Sequence, residues 1–407
     1  MFDIEGKHAV AKVFASNIEN EAISQIIGML NNKITLNTQV RVMPDVHAGK
    51  GSTIGTTIKL PEDFKDWKVS PNIVGLDVGC GILMYKISNK DLDLEKLDEI
   101  VHENIPSGFS IHEHNQNKEF TNRVVDNLTF DLYPNSVDRI HKSLGTLGGG
   151  NHFIEVGIDG NGDYWLSVHS GSRNLGLQVA QYHQGVAENL LKESSVDIPA
   201  VIERLKAEGK HKDIENTIKI LKGQKLPKTD LDLAYLTGDK LKDYLNDMTL
   251  AQSYAVKSRE TMLDTIVDKM GLTVTDKFDS IHNFIEHDNY EKGMLRKGAT
   301  SAKKGERLVI PLNMRDGSLI CEGLGNEDWN QSAPHGAGRM MSRSKAKAEI
   351  NIDEFKEQMS GVYSSTVSES TLDEAPDAYK PEDIIKEDIK DTAIILHQVR
   401  PIYNFKG

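Results

Sequence analysis

An α+β fold, a mixed β-sheet core flanked by helices, is predicted by three features of the chain. Strongly β-type runs such as "YWLSV" and "RLVIPL" stand beside short glycine-rich loops. A long polar stretch, about 186–271, carries helical periodicity instead. No Pro/Gly/Ser linker, internal repeat or low-complexity tract divides the chain, so residues 1–407 are expected to form a single domain with 186–271 as a helical insertion. In that insertion Ile214, Ile218 and Leu221 share one helical face, and Leu241, Tyr244, Leu245 and Met248 share another. Asp239 is expected to cap the second helix and Gly271 to end it. Towards the C-terminus, "KPEDIIKEDIKDTAII" reads as helix and "VRPIYNFKG" as an extended tail.

Composition narrows the function. Apolar residues make up 38% and charged residues 27%, and no apolar run approaches the roughly 18 residues of a membrane span, so a cytoplasmic, non-membrane protein is expected. "MFDIEGKHAVAKVF" lacks the apolar core of a secretion signal. The net charge of −13 argues against a general nucleic-acid coat, so any phosphate site must be local. Two cysteines, Cys80 and Cys321, give no disulfide framework. Cys321 sits in "SLICEGLG", a strand in which a thiol acts as a small hydrophobe.

Chemistry concentrates in the glycine loops. In "VGLDVGCGI", a tight turn permitted by Gly75, Gly79 and Gly81 can point Asp77 and Cys80 at one ion. Of fourteen histidines, four lie in glycine-rich loops: His47, His152, His169 and His335; His282 lies in "SIHNFIEH". His152, in "GGGNHFIEV", is expected at a strand start, and His169, in "SVHSGSR", at a strand end. Thiolate, carboxylate and imidazoles make a divalent transition-metal set, and donor softness alone suggests zinc. The repeated CxxC spacing common in structural zinc sites is absent. Arg173, four residues beyond His169, suits a phosphate shared with the ion. In "SAPHGAGRMMSRSKAK", successive N–H groups could form an anion nest, with Arg339, Arg343 and Lys345 adding charge. There His335 can be a nucleophile, a general acid or a phosphate donor. "LRKGATSAKKGERLVIPL" adds Arg296, Lys297, Lys303 and Lys304, a possible phosphate track or a solvated loop.

Taken together, "MPDVHAGKG", "VGLDVGCGI", "GTLGGGNHFIEV", "HSGSRNLG", "HNF", "RKGATSA", "GLGNEDWNQSAPHGAGRMMSR" and "DEAPDAYK" resemble the RtcB-type RNA-splicing ligases from about residue 43 to the C-terminus. The resemblance implies a GTP- and manganese-dependent ligase, expected to be a monomer, that joins RNA 3′-phosphate or 2′,3′-cyclic phosphate ends to 5′-hydroxyl ends. It implies two Mn²⁺ ions on Asp77, Cys80, His152, His169 and His282, with Cys80 bridging, and guanylylation of His335. It places Asn151, Glu155, Asn313, Ser318, Gly336, Ala337, Gly338, Arg339, Tyr379 and Lys406 at the nucleotide. Asp45, an active-site carboxylate, and Arg173, Arg296, Lys297 and Arg343 fall on the phosphate or RNA side. "PLNMRDGS" departs from the family's "PGSMG" type loop: Asn313 replaces a serine, and Arg315 and Asp316 are inserted. Two other classes are weighed against the ligase, a dinuclear phosphoesterase that opens cyclic phosphates without joining, and an RNA-binding accessory without chemistry.

Overall fold

The computed structural model describes residues 1–194, 198–222 and 226–407. Among these, in chain order, the strands are β1 Phe2–Glu5, β2 Val10–Val13, β3 Gln39–His47, β4 Ile54–Lys59, β5 Gly81–Ile87, β6 Phe153–Ile158, β7 Tyr164–Ser170, β8 Val274–Ile281, β9 Asn283–Asp288, β10 Glu291–Lys297, β11 Ala299–Ser301, β12 Arg307–Asn313, β13 Gly317–Gly323, β14 Ser332–Pro334 and β15 Ala393–Lys406. A six-stranded sheet runs β1-β2-β3-β4-β10-β9, a seven-stranded sheet runs β12-β13-β15-β6-β7-β5-β8, and β11 pairs with β14. All pairings are antiparallel except β2 with β3, so the core is a mixed sheet system flanked by helices, as predicted.

Period-two patterning decides which face of the larger sheet each residue meets. In β5, Leu83 and Tyr85 enter one apolar cluster while Ile82 and Met84 enter another. β6 and β7 repeat the split: Ile154, Val156, Leu166 and Val168 share the first cluster, and Phe153 and Trp165 the second. Over the first face lies the helix Gly238–Met270, which contributes Met262, Leu263 and Ile266. Each such fully buried side chain stabilises by roughly 1.5–3 kcal/mol relative to exposure. The smaller sheet is covered by the helix Asn20–Leu30, whose buried Ala22, Ile26, Met29 and Leu30 follow helical spacing. Cys321 is fully buried in β13, as expected of a core thiol.

The helical region differs from its expected outline. Helix begins at Arg173, not near 186, with a helix Arg173–Ser194. Its last helix packs directly on β5 and β7 and is part of the core rather than an excursion from it. Leu241, Tyr244, Leu245 and Met248 are buried, as expected, and His183 ties the two long helices together through Asp247 at 2.7 Å. Thr237, not Asp239, stands at the N-cap; the Asp239 carboxylate pairs with Lys242 instead. Gly271 ends the helix in the left-handed conformation, φ 66°, as its lack of a Cβ allows. The Leu221 side chain lies outside the described residues. Near the C-terminus the helix is shorter than predicted, Glu382–Asp388, because "AII" is already the start of β15. Among the described residues no helix is long and apolar enough to cross a membrane.

Candidate active site

Strand register builds a donor cluster at one end of the larger sheet. Gly81 pairs with Ser170 and with Ile281, and Phe153 pairs with His169. Cys80, His152 and His282 are each one residue beyond a strand end and His169 is one residue inside, so four adjacent strands deliver them to one spot. Cys80 Sγ lies 3.3 Å from His169 Nε2 and 3.5 Å from His152 Nε2; His169 Nε2 lies 3.3 Å from His282 Nε2. Asp77 Oδ2 is 3.1 Å from His152 Nε2. All five residues singled out in the sequence therefore meet.

Chemistry of the donors fits a cation. His152 Nδ1 faces Leu147 O at 2.9 Å and His169 Nδ1 faces Asn151 O at 3.2 Å, contacts that place the ring proton on Nδ1 and leave Nε2 a bare lone pair. Burial and the neighbouring imidazoles hold His169 and His282 well below the ordinary histidine range, so both are neutral. Burial, reinforced by Asp77, pushes the Cys80 thiol well above its ordinary value. Burial also raises Asp77, but the His152 contact and the Arg173 charge outweigh it and keep the carboxyl below its usual range. Apart from the single Cys80 S–H proton, lone pairs thus converge on lone pairs, an arrangement that a metal ion would relieve while lowering the thiol pKa. Among the described residues, Cys80, His152 and His169 can each place one ligand atom around a single ion.

His335 follows β14 and lies beside this cluster, its ring 4.8 Å from that of His282. Asp45, fully buried in β3, accepts from His335 Nδ1 at 2.7 Å and from the His335 backbone N–H at 3.1 Å. This contact orients the ring and points Nε2 away from Asp45. Gly338, at φ +74°, permits the close approach: a Cβ there would lie 2.9 Å from the Asp45 Cα. Asp45, expected on the phosphate side, is in direct contact with the histidine. The expected open anion nest is partly closed, because Ala337 N–H donates to Pro311 O and Met340 N–H to Ala378 O.

A cavity of about 450 Å³ opens over His335 and His169, lined among others by Asn151, Glu155, Asn313, Ser318, Gly336, Ala337, Gly338, Arg339, Arg343, Tyr379 and Lys406. Its charged wall is organised by Glu374, which accepts from Lys406 Nζ at 2.8 Å, Tyr379 Oη at 2.7 Å and Arg343 Nη1 at 2.6 Å. Arg339 stacks over Tyr379 and donates to Asp373 O at 2.6 Å. Burial pushes Glu155 up to about 8, against the pull of Asn404, which donates to it at 2.8 Å, and of Lys406. Asn313 is engaged within its own turn: it accepts from Arg315 and Asp316 N–H and donates to Asp316 Oδ2.

Three expected phosphate residues, Arg296, Lys297 and Arg173, are not among those lining the cavity. "LRKGATSA" is strand, not solvated loop, and Arg296 and Lys297 are 1% and 3% exposed. Arg296 pairs with Glu286 and Ser332, while Lys297 donates to the carbonyls of Lys50, Ser52 and Asn72. Burial lowers Lys297 to about 7. Arg173 stands at the start of its helix and donates to Gly108 O and Thr146 Oγ1.

Sequence reasoning missed Arg259. From the helix Gly238–Met270 its fully buried guanidinium donates to Gly79 O at 2.9 Å, Ser170 O at 2.7 Å and both oxygens of Asp279, bracing the Cys80 turn against the His169 strand. A helical Arg in a polar stretch carries no local signal of this. His47, Glu19 and Asn404 also line the cavity without having been assigned to it.

Comparison with known proteins extends these observations. The family model described as tRNA-splicing ligase RtcB matches residues 29–132 and 129–407. The chain is 29% identical over 425 residues to the RNA-splicing ligase RtcB of Escherichia coli strain K12, covering 96% of this chain and 95% of that protein. It is 30% identical over 424 residues to RNA-splicing ligase RtcB1 of a second Escherichia coli strain, with the same coverage. To the tRNA-splicing ligase RtcB of Aeropyrum pernix it is 25% identical over 451 residues, covering 90% of this chain and 87% of that protein.

Proposed function

Starting from the RtcB family of RNA ligases, to which this chain belongs, we propose that it uses GTP and manganese to join RNA 3′-phosphate or 2′,3′-cyclic phosphate ends to 5′-hydroxyl ends. The observation that carries this reading is the His335–Asp45 pair, opening into the cavity beside the donor cluster.

The Asp45 carboxylate holds the proton on His335 Nδ1, leaving Nε2 with the lone pair of a nucleophile. Nε2 attacks the α-phosphorus of GTP; an N–P bond forms, the bond from the α-phosphorus to its bridging oxygen breaks, and pyrophosphate leaves. The positive charge developing on the imidazole falls on Asp45. A terminal 3′-phosphate oxygen of the RNA then displaces the histidine, forming a phosphoanhydride with GMP. Finally the 5′-hydroxyl oxygen attacks the RNA phosphorus, GMP departs and the hydroxyl proton is lost to solvent. Where the end is a cyclic phosphate, water first adds to phosphorus and the 2′-oxygen leaves. Manganese ions held by Asp77, Cys80, His152, His169 and His282 would supply positive charge against the phosphate oxygens. Glu155, Tyr379 and Lys406 are proposed to contact the guanine, and Ser318 and Arg339 the rest of the nucleotide. Repair or splicing of tRNA is the proposed setting.

The test is a pair of RNA halves, one ending in a 2′,3′-cyclic phosphate and one beginning with a 5′-hydroxyl, incubated with the chain, manganese and GTP. Joined product that disappears without GTP is expected. Opened cyclic phosphate with no joined product would instead support the phosphoesterase.

A further inference from the structure

The segment 105–110 lies against the turn that delivers His152. Gly108 N–H donates to Gly148 O at 2.8 Å, and Leu147 N–H donates to Pro106 O at 2.9 Å. Gly148, at φ +87°, is the meeting point. A Cβ there would lie 2.8 Å from His152 Nδ1 and would overlap the Arg173 guanidinium. From this junction two successive carbonyls each receive a guanidinium: Gly108 O from Arg173 Nη2 at 2.9 Å and Phe109 O from Arg139 Nη2 at 3.2 Å. Among the described residues no carboxylate forms an ion pair with either arginine, in a chain whose net charge is −13. The Phe109 ring stands in water, 93% exposed, the highest exposure of any large apolar side chain described.

A lone exposed phenylalanine means little by itself. Its position gives it meaning: its segment is bonded to the turn that carries His152, and its own carbonyl holds the Arg139 guanidinium, whose other N–H groups remain available to a phosphate. Unpaired bases are held by stacking on aromatic faces while cations track the adjacent phosphates, and this pairing of contacts tolerates any base. We propose that Phe109 is a stacking platform for an unpaired base of the entering RNA strand, with Arg139 on the neighbouring phosphate. Phe109 is thus a positioning residue. The inference rests on the reading of the site as an RNA ligase.

The probe is an unstructured, 3′-phosphorylated oligoribonucleotide with a 5′ fluorophore, titrated with the full chain in manganese and followed by anisotropy. Phe109→Ala is expected to raise the Kd, and the KM for RNA in joining, roughly 5- to 150-fold, the effect of losing one base stack. Labelling of His335 by GTP, which needs no RNA, should stay at the wild-type rate. Phe109→Trp should restore binding and Phe109→Leu should not. An abasic nucleotide scanned along the probe should weaken wild-type binding at one position and leave Phe109→Ala indifferent there. Arg139→Gln should reduce the slope of log Kd against log salt by about 0.7, the contribution of one single-strand phosphate contact. Unchanged RNA affinity in Phe109→Ala, while the wild type joins RNA, overturns the stacking proposal alone. So does full activity in Phe109→Leu with a flat abasic scan, which would mark an apolar protein-contact patch. Failure of the wild type to bind or join RNA overturns the ligase reading, and the stacking proposal with it.

Discussion

Replacing Asp45 by Asn tests how the nucleophile is prepared. The carboxylate is fully buried and accepts two hydrogen bonds from His335, at 2.7 and 3.1 Å. Hydrogen bonds to a charged group contribute about 1.5–3 kcal/mol each, so the pair sets a ceiling of about 3–6 kcal/mol on the alignment of His335. Asparagine keeps the shape and one acceptor but removes the charge that steadies the imidazole as the N–P bond forms. It can also present its NH₂ group to Nδ1, shifting the ring proton to the nucleophilic nitrogen. About half the ceiling, ~1.5–3 kcal/mol, is then lost, a slowing of roughly 10- to 150-fold at 1.36 kcal/mol per decade. The assay is single-turnover transfer of the labelled guanylyl group from GTP to protein, with the melting temperature of each variant measured alongside. A folded Asp45→Asn chain labelled at the wild-type rate would refute the argument that Asp45 prepares His335.

Cys80→Ala should lose manganese binding, read by metal analysis after gel filtration, while Cys321→Ala should keep activity and cost about 1 kcal/mol of stability for a small buried group; equal metal content in wild type and Cys80→Ala would count against the donor assignment. Arg259→Met should cost about 3–5 kcal/mol, because it strands Asp279 and two carbonyls, and should weaken metal binding by loosening the Cys80 turn; a destabilised variant with unaltered metal affinity would show that the brace is structural only. Glu155 is raised in the folded chain, so the folded state holds its proton more tightly than the unfolded one; its contribution is fully present below the ordinary carboxyl range and is lost as pH rises through about 8. Urea titrations should therefore show wild type losing stability relative to Glu155→Gln over that window, and parallel pH profiles would contradict it. Removing divalent metal with a chelator should lower the melting temperature, with about 2.7 kcal/mol recovered at a metal concentration one hundred times its Kd; a chelator-independent melt would argue that the cluster holds no ion.

Much of the site was legible because its signals are local. Glycines mark the turns before Cys80 and His152, and the period-two runs around His169 give its place at a strand end. His282 and His335 share the logic of a histidine beside a strand terminus. What escaped depends on partners far away in sequence. Asp45 is 290 residues from His335, so nothing near "MPDVH" shows that its carboxylate serves that ring. Arg296 and Lys297 appear as a cationic run, but strand alternation and the packing of β10 between β4 and β9 bury both, one against Glu286 and one in a ring of carbonyls. Asn313 occupies a nucleotide position by motif, yet Arg315 and Asp316, two and three residues on, engage its amide. The long helix is legible from its periodicity, but its bracing of the Cys80 turn through Arg259 requires the fold.

The central claim is that His335 carries the guanylyl group. Incubation of the chain with GTP and manganese, followed by peptide mass spectrometry under conditions that spare the N–P bond, tests it directly. The account predicts one guanylyl increment on the peptide containing His335 and none in His335→Ala. An increment on another residue, or one retained in that variant, would contradict it.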